Sequence, residues 1–173
     1  GKIESNKPLW IIDPIDGTLN YSRNNPTSCI SIALYEGSNP VFGVIYDFNR
    51  DEMFTGYIGI GAWLNNTKLI KKETNAISQS ILATGFPTYF EHDTQVLTEF
   101  INNIQQYKKI RMIGSAALSL AYVASGRFDT YTEDNIKLWD VAAGIAINKA
   151  IGNKVDFVTH DEFLMNVKVG VFL

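Results

Sequence analysis

The segment Trp10–Asn20, WIIDPIDGTLN, constrains the fold of this chain more than any other stretch. Its short apolar run leads into Asp13, and Pro14 then predicts the end of a strand, because proline has no backbone N–H for a sheet ladder. Asp16 follows three residues after Asp13, so a turn can bring both carboxylates to one point. Gly17 allows a positive φ angle or a close backbone approach. The segment therefore predicts a buried strand that ends in a turn carrying two carboxylates.

The residues after this turn favour a site for a metal and a phosphate. Thr18 begins a predicted helix, TLNYSR, whose first N–H groups and dipole suit an anion. Asp13 and Asp16 would repel a phosphate unless hard cations lay between them, and oxygen ligands together with phosphate favour Mg²⁺. Capping of the helix by the same carboxylates is the alternative structural interpretation.

A different class of phosphatase must be considered for the same residues. The letters IDGTLNYS are similar to part of the DxDGT signature of haloacid-dehalogenase phosphatases, in which the first aspartate attacks phosphorus. In this chain Pro14 occupies that position, and the other carboxylate, Asp13, lies three residues before Asp16. Since proline cannot act as the nucleophile, the spacing argues against a covalent phosphoenzyme.

A second acidic segment, EDNIKLWDVAAG, lies later in the chain. Asp140 falls in the first turn of a predicted helix, and the small residues after it allow another element to come close. Asp140 could complete a metal site with Asp13 and Asp16. Alternatively, it could only interact with the helix dipole, as acidic residues in a first turn commonly do. Glu133 could hydrogen-bond substrate hydroxyls or be solvated. Residues 114–120, GSAALSL, offer N–H groups and a hydroxyl at another helix start, or a small-residue packing face.

The hydrophobic pattern changes along the chain and predicts two halves. Residues 1–76 contain alternating strands separated by the turn signals EGSNP, DFNRDE and NNT, which favours an antiparallel sheet. Residues 77–173 alternate strands with helices, which is typical of a layered α/β arrangement. The polar stretch at residues 71–80 predicts a domain boundary between the two halves.

Composition and charge exclude several classes of protein. Hydrophobic residues make up 46% of the 173 residues, enough for a packed core, and the net charge of −3 argues against a nucleic-acid or anionic-membrane partner. No apolar run reaches the length of a membrane span. Cys29 is the single cysteine, and its alternating apolar context predicts a buried structural thiol. His92 and His160 lie in polar segments and are expected at the surface, with no His/Cys cluster for zinc.

Two motifs together resemble those of the inositol monophosphatase family, which belongs to the Mg²⁺-dependent, lithium-sensitive sugar phosphatases. WIIDPIDGTLNY resembles the D-P-I-D-G-T motif and LWDVAAG the W-D-x-A-A-G motif, and IGSAAL and YTEDNIKLWD are similar to segments between them. The resemblance covers essentially the whole chain, but only about the last two thirds of a typical member. It implies a layered fold of α+β and α/β character, the αβαβα sugar-phosphatase fold, without its N-terminal helices.

The resemblance also implies a role for each matching residue. The implied metal ligands are the carboxylates of Asp13, Asp16 and Asp140 and the backbone carbonyl of Ile15. The implied catalytic residues are Asp13, Asp16 and Thr18, with the Thr18 hydroxyl orienting the attacking water. The implied substrate-binding residues are Gly17 and Thr18 for the phosphate, and Gly114, Ser115, Ala116 and Glu133 for the alcohol portion.

The reaction implied by the resemblance is hydrolysis of a phosphate monoester by a metal-activated water, without a phosphoenzyme. Inositol monophosphate is the expected substrate, and related enzymes with nearly the same site act on histidinol phosphate, fructose bisphosphate or adenosine bisphosphates. We expect Mg²⁺ as cofactor, a cytoplasmic location and a homodimer, with no nucleic-acid or membrane partner. A non-catalytic member of the fold with a binding role is the alternative from a different class.

One departure from the family pattern concerns a further glutamate. The family carries it in a GEE-like motif upstream of the D-P-I-D-G-T motif, whereas the upstream carboxylate here is Glu4, in GKIES, whose surroundings do not resemble that motif. We therefore expect an N-terminally truncated chain, with weakened metal binding and low or no turnover on its own.

Overall fold

The first half of the chain forms an antiparallel sheet. The computed structural model describes residues 7–86, 94–159 and 166–173, and six strands of this part pair in sequence order. The strands are β1 (Pro8–Asp16), β2 (Cys29–Glu36), β3 (Asn39–Asp47), β4 (Glu52–Tyr57), β5 (Gly61–Leu64) and β6 (Thr67–Leu69). This arrangement confirms the predicted antiparallel half.

Strand β1 extends beyond the end that the sequence predicted. Its regular pairing with β2 stops at Asp13, opposite Ser31, and resumes at Asp16, opposite Cys29, across an irregularity in register. The prediction that Pro14 ends the strand was wrong, because β1 is the edge strand of the described sheet. Proline is tolerated on edge strands and at bulges, where the missing N–H costs no interior ladder bond.

The second half of the chain forms a mixed sheet. In the described residues it has five strands: β7 (Ile81–Ala83), β8 (Lys109–Arg111), β9 (Thr130–Lys137), β10 (Lys154–Thr159) and β11 (Asn166–Phe172). Their spatial order in the sheet is β10-β11-β9-β7-β8. Strand β7 pairs in parallel with β8 and β9, whereas β11 pairs antiparallel with β9 and β10. The fold is therefore a layered α+β fold, and in the described residues parallel pairing occurs only at the β9-β7-β8 end of this second sheet.

Two buried helices fill the space between the sheets. The helices of the described chain are α1 (Thr18–Ser22), α2 (Thr94–Ile104), α3 (Ala116–Ala124) and α4 (Leu138–Ala150), and a 3₁₀ turn spans Ile77–Gln79. Helix α4 contacts strands of both sheets and also packs against α3. A Cβ at Gly43 of β3 would overlap the Ala143 carbonyl, and one at Gly144 would overlap the Leu120 side chain. The small residues of WDVAAG thus allow the close approach that the sequence predicted.

The described core is one hydrophobic cluster with members from both sheets and from α3 and α4. Cys29 is fully buried in it, as predicted.

The division into domains 1–76 and 77–173 stays a prediction, although the two sheets follow the same two halves of the chain. Glu4, His92 and His160 lie outside the described residues. No helix in the described part of the chain is long and apolar enough to cross a membrane.

Candidate active site

Among the described residues, three carboxylates meet where β1 ends and α4 begins. One oxygen from each of Asp13, Asp16 and Asp140 lies within 4.8 Å of the others. Asp16 is 7% exposed, whereas Asp13 and Asp140 are half-buried. Asp140 is in the first turn of α4, where the helix dipole favours a negative charge. The structure thus brings together the carboxylates that the sequence predicted as metal ligands, and we call them the aspartate cluster.

The start of α3 holds Asp16 in place. The Ser115 hydroxyl donates to Asp16 Oδ2 at 2.5 Å, and the Ala117 N–H donates to the same oxygen at 2.8 Å. Ser115 also caps α3, because its hydroxyl accepts a hydrogen bond from Leu118 N at 3.2 Å. The buried Cys29 thiol lies 3.9 Å from Asp16 Oδ2. Ser115, predicted to line the alcohol site, therefore also orients a carboxylate of the cluster.

The aspartate cluster concentrates more negative charge than its surroundings stabilise. Burial raises the pKa of Asp16 to about 6, with repulsion from Asp13 adding to the effect and the Ser115 and Ala117 hydrogen bonds opposing it. Burial, and then repulsion from Asp16 and Asp13, raise the pKa of Asp140 to about 8. A divalent cation would relieve this repulsion, and an all-oxygen donor set is the kind that Mg²⁺ prefers. The residues present therefore fit a hard divalent cation.

The turn between β1 and α1 is fixed by short-range hydrogen bonds. The Ile15 N–H donates to Asp13 Oδ1 at 3.0 Å, and the Thr18 hydroxyl donates to the Ile15 carbonyl at 3.1 Å. Gly17 has a φ angle of 81°, and a Cβ there would lie 2.6 Å from the Thr27 carbonyl oxygen. The turn therefore requires glycine. Since Thr18 is the first residue of α1, its N–H has no acceptor within that helix.

Asn20 ties this turn to the loop that precedes α3. Its side-chain amide donates to the Ile113 carbonyl at 2.8 Å and to the Thr27 carbonyl at 2.9 Å. A Cβ at Gly114, where φ is 71°, would lie 2.9 Å from the Asn20 amide nitrogen. Sequence reasoning missed Asn20, because no local pattern marks a contact with a carbonyl 93 positions away.

A cavity of about 210 Å³ adjoins Asp16, and we call it the inner cavity. Its lining includes all four residues predicted to surround the alcohol portion of the substrate, namely Gly114, Ser115, Ala116 and Glu133. Thr84 and Gly85, which follow β7, also line it and were not predicted. The predicted residues for the alcohol portion thus share one cavity with a carboxylate of the cluster.

Glu133 is held in the cavity wall rather than left simply solvated. The hydroxyl of the fully buried Tyr131 donates to Glu133 Oε2 at 2.8 Å. Burial raises the pKa of Glu133, and the hydrogen bonds from Tyr131 and from the Gly85 N–H oppose that rise. A Cβ at Gly85 would overlap the Glu133 carboxylate. Sequence reasoning missed Tyr131. Residues two apart on a strand share a face, so the letters YTE could have indicated that Tyr131 lies beside Glu133.

Comparison with known proteins relates this chain to inositol monophosphatases and to Nus factors named SuhB. A sequence model described as the inositol monophosphatase family matches residues 1–172. The chain is 42% identical over 162 residues to the Nus factor SuhB of Xylella fastidiosa, covering 92% of this chain and 59% of that protein. It is 35% identical to the inositol-1-monophosphatase of Bacillus subtilis, covering 90% of this chain and 58% of that protein.

A solved structure agrees with the fold. The inositol monophosphatase from Anabaena (Nostoc) matches with a TM-score of 0.85 at 37% identity, covering 98% of this chain and 68% of that one. The chain spans less than three fifths of the length of the two curated relatives, at 59% and 58%.

Proposed function

Because the chain belongs to the inositol monophosphatase family, we propose that it hydrolyses the phosphate monoester of a small polyol, most simply inositol monophosphate. The observation that carries this proposal is the convergence of Asp13, Asp16 and Asp140 within 4.8 Å. Such a cluster suits Mg²⁺, and the Ile15 carbonyl is proposed as a further ligand. Histidinol phosphate, fructose bisphosphate and adenosine bisphosphate are the alternative substrates.

The bound Mg²⁺ would supply Lewis-acid chemistry, lowering the pKa of a water and neutralising charge on phosphate oxygens and on the leaving alkoxide. The Thr18 hydroxyl donates to the Ile15 carbonyl, so its oxygen lone pairs remain able to accept a hydrogen bond from the attacking water. The N–H groups of Gly17 and Thr18 bind the phosphate. Ser115 keeps Asp16 oriented through its 2.5 Å hydrogen bond.

The inner cavity holds the alcohol portion in this proposal. Glu133 accepts hydrogen bonds from substrate hydroxyls through the carboxylate that Tyr131 and Gly85 position. Gly114 and Ala116 have little or no side chain, which leaves room for the ring beside Asp16. A polyol, which carries several hydroxyls, suits a cavity whose wall holds a fixed acceptor.

The proposal is tested by measuring phosphate release from a panel of monoesters, with and without Mg²⁺ and with and without Li⁺. In line with the low turnover expected for this chain on its own, we expect slow release that requires Mg²⁺, is inhibited by Li⁺ and is abolished in Asp13→Asn. It should be unchanged in Asp156→Asn, an exposed aspartate on β10. Absence of hydrolysis across the panel, or release that persists in Asp13→Asn, would contradict the proposal.

A binding role without catalysis is the second candidate, and the name of the 42%-identical relative, a Nus factor, favours it. In a bacterial strain lacking its own Nus factor of this family, complementation by both the wild-type chain and Asp140→Asn would support the binding role. Complementation by the wild-type chain alone would support the catalytic one.

A homodimer and a cytoplasmic location remain proposals from the family resemblance.

A further inference from the structure

A larger cavity, of about 350 Å³, lies beyond Glu133. It shares Thr84, Gly85 and Glu133 with the inner cavity, and we call it the outer cavity. Because the two cavities share these three lining residues, they are neighbours at Glu133. The outer cavity therefore adjoins the proposed active site.

The charges around the outer cavity are unbalanced. Among the described residues that line it, the carboxylates are Glu99, Glu133 and Asp134, and the one cation is Lys168. Lys168 Nζ lies 3.2 Å from Asp134 Oδ2, so its charge is already offset. The side-chain amide of Gln95 donates to Glu99 Oε1 at 3.0 Å, which orients that carboxylate. The cavity therefore presents a negative potential to whatever enters it.

Apolar side chains of α2 form another part of the wall. Val96 and Phe100 line the outer cavity, and the Phe100 ring packs edge-to-face on Phe86 with centroids 5.7 Å apart. A ring or a short carbon chain can contact these side chains while its polar groups meet the carboxylates. The lining thus combines an apolar face with acceptors, which is the usual composition of a small-molecule subsite.

We infer that the outer cavity is a subsite for the part of the substrate distal to the reacting phosphate, and that it prefers an ammonium group to a second phosphate. This inference rests on the proposed phosphatase function. A second phosphate would bring about two negative charges towards a lining in which three carboxylates outnumber one lysine, whereas an amine would bring an opposite charge to them. Phosphate monoesters of amino sugars or amino alcohols are therefore favoured over bisphosphates. Of the alternative substrates above, histidinol phosphate carries such an amine, while fructose bisphosphate and adenosine bisphosphate carry a second phosphate.

The test uses three ligands that share one sugar and one phosphate position: glucose phosphate, glucosamine phosphate and glucose bisphosphate. Their dissociation constants are measured by ligand-detected NMR with Mg²⁺ present, at times when little hydrolysis has occurred, and hydrolysis rates are measured in parallel. The variants are Glu99→Gln, which keeps the partner for Gln95, and Lys168→Met. Glu36→Gln, at the exposed end of β2, is the matched control.

We expect glucosamine phosphate to bind about two- to fivefold more tightly than glucose phosphate, the range for one partly exposed ion pair, and glucose bisphosphate to bind more weakly than either. Glu99→Gln should bring these ratios towards one, Lys168→Met should enlarge them, and Glu36→Gln should leave them unchanged. Equal or reversed ratios in the wild-type chain, or failure of all three ligands to bind, would overturn the inference.

The parallel hydrolysis rates separate the two proposals. If all three ligands are hydrolysed without the binding preference, the outer-cavity inference is wrong and the phosphatase proposal stands. If the preference is present but no ligand is hydrolysed, the phosphatase proposal fails for this chain, and the outer cavity stands only as a binding site for the ammonium group.

Discussion

The aspartate cluster and the outer cavity use the same chemical group in opposite surroundings. Asp16 is 7% exposed and accepts hydrogen bonds from Ser115 and Ala117, whereas the Asp134 side chain is 40% exposed and pairs with a half-solvated lysine. In the cluster, burial and mutual repulsion raise the pKa values of Asp16 and Asp140. In the outer cavity, water can solvate the exposed carboxylates of Glu99 and Asp134.

Burial determines whether a negative charge costs free energy in this molecule. A buried carboxylate must be protonated, hydrogen-bonded or neutralised by a cation, so the cluster is costly until a metal binds. An exposed carboxylate costs little and gives only a weak field. We therefore expect perturbations of the cluster to have large effects and perturbations of the outer cavity to have small ones.

The largest effect is expected for Asp140→Asn. Loss of one of the three carboxylates should weaken Mg²⁺ binding enough to abolish the rise in Tm that Mg²⁺ produces, and should lower any phosphatase rate by at least about 100-fold. Thermal unfolding with and without Mg²⁺ checks the first expectation independently of activity. Asp134→Asn is the matched control and should keep the wild-type response. An unchanged Mg²⁺ shift in Asp140→Asn would show that the aspartate cluster does not bind the cation.

The pH dependence of stability should come next in size. The pKa of Asp16 is raised from 3.8 to about 6, and that of Asp140 from 3.8 to about 8. At a pH between the unfolded and the folded pKa of either group, the folded chain therefore keeps a proton that the unfolded chain has lost. The free energy of unfolding of the metal-free chain should therefore fall as pH rises from about 4 to about 8, by an amount on the order of a few kcal/mol.

Urea unfolding in the presence of a chelator measures this slope. Saturating Mg²⁺ should flatten or reverse it, because the cation stabilises the ionised carboxylates. The double variant Asp16→Asn, Asp140→Asn should lose most of the slope. A metal-free stability that rises over this pH range would show that the cluster is not the costly region.

An intermediate effect is expected at Tyr131, whose hydroxyl positions the Glu133 carboxylate. Tyr131→Phe removes the hydroxyl that donates to Glu133 at 2.8 Å, so Glu133 should be less well positioned. We expect a several-fold rise in KM for a polyol phosphate, a smaller change in kcat and a loss of about 1 kcal/mol in the free energy of unfolding. The KM for a phosphate ester without hydroxyls, such as nitrophenyl phosphate, should stay unchanged.

Tyr46→Phe is the control for this prediction. The Tyr46 hydroxyl donates to Asp51 at 2.9 Å, which is the same pair of groups in an exposed setting. Its removal should alter neither KM nor stability by a measurable amount. If both KM values rose together in Tyr131→Phe, the residue would have a general structural role rather than one in positioning Glu133.

The smallest effect is expected for the ion pair of the outer cavity. Lys168→Met breaks its 3.2 Å contact with Asp134, yet both side chains are substantially exposed, at 57% and 40%. The free energy of unfolding should change by no more than about 0.5 kcal/mol, as measured in urea. A loss well above about 1 kcal/mol would contradict the view that this region is structurally neutral.

The sequence predicts most of what is local in this molecule. Asp13, Gly17 and Thr18 lie within one turn, so spacing and residue type are enough to indicate a carboxylate turn before a helix. The turn signals between β2 and β6 likewise predict an antiparallel sheet, since each strand pairs with its neighbour in sequence. The resemblance of two motifs then extended these local predictions to Asp140.

The features that the sequence did not predict depend on distant partners. Pro14 ends a strand in most settings, and its tolerance here follows from the edge position of β1, which only the complete sheet order reveals. Gly85 is required because Glu133 lies against it, and Asn20 binds a carbonyl 93 positions away. No local pattern encodes these contacts, because each depends on how the two halves of the chain come together.

The hydrogen bonds to Asp16 have a consequence for the order in which the chain folds. They join residues 99 and 101 positions apart, so they form only after the antiparallel half and the start of α3 have met. Contacts of such long range close late and slow the overall reaction. Until they close, we expect Asp13 and Asp16 to be hydrated and apart from Asp140. Uptake of a metal ion during refolding should therefore follow the last kinetic phase, and it would report completion of the fold rather than its nucleation.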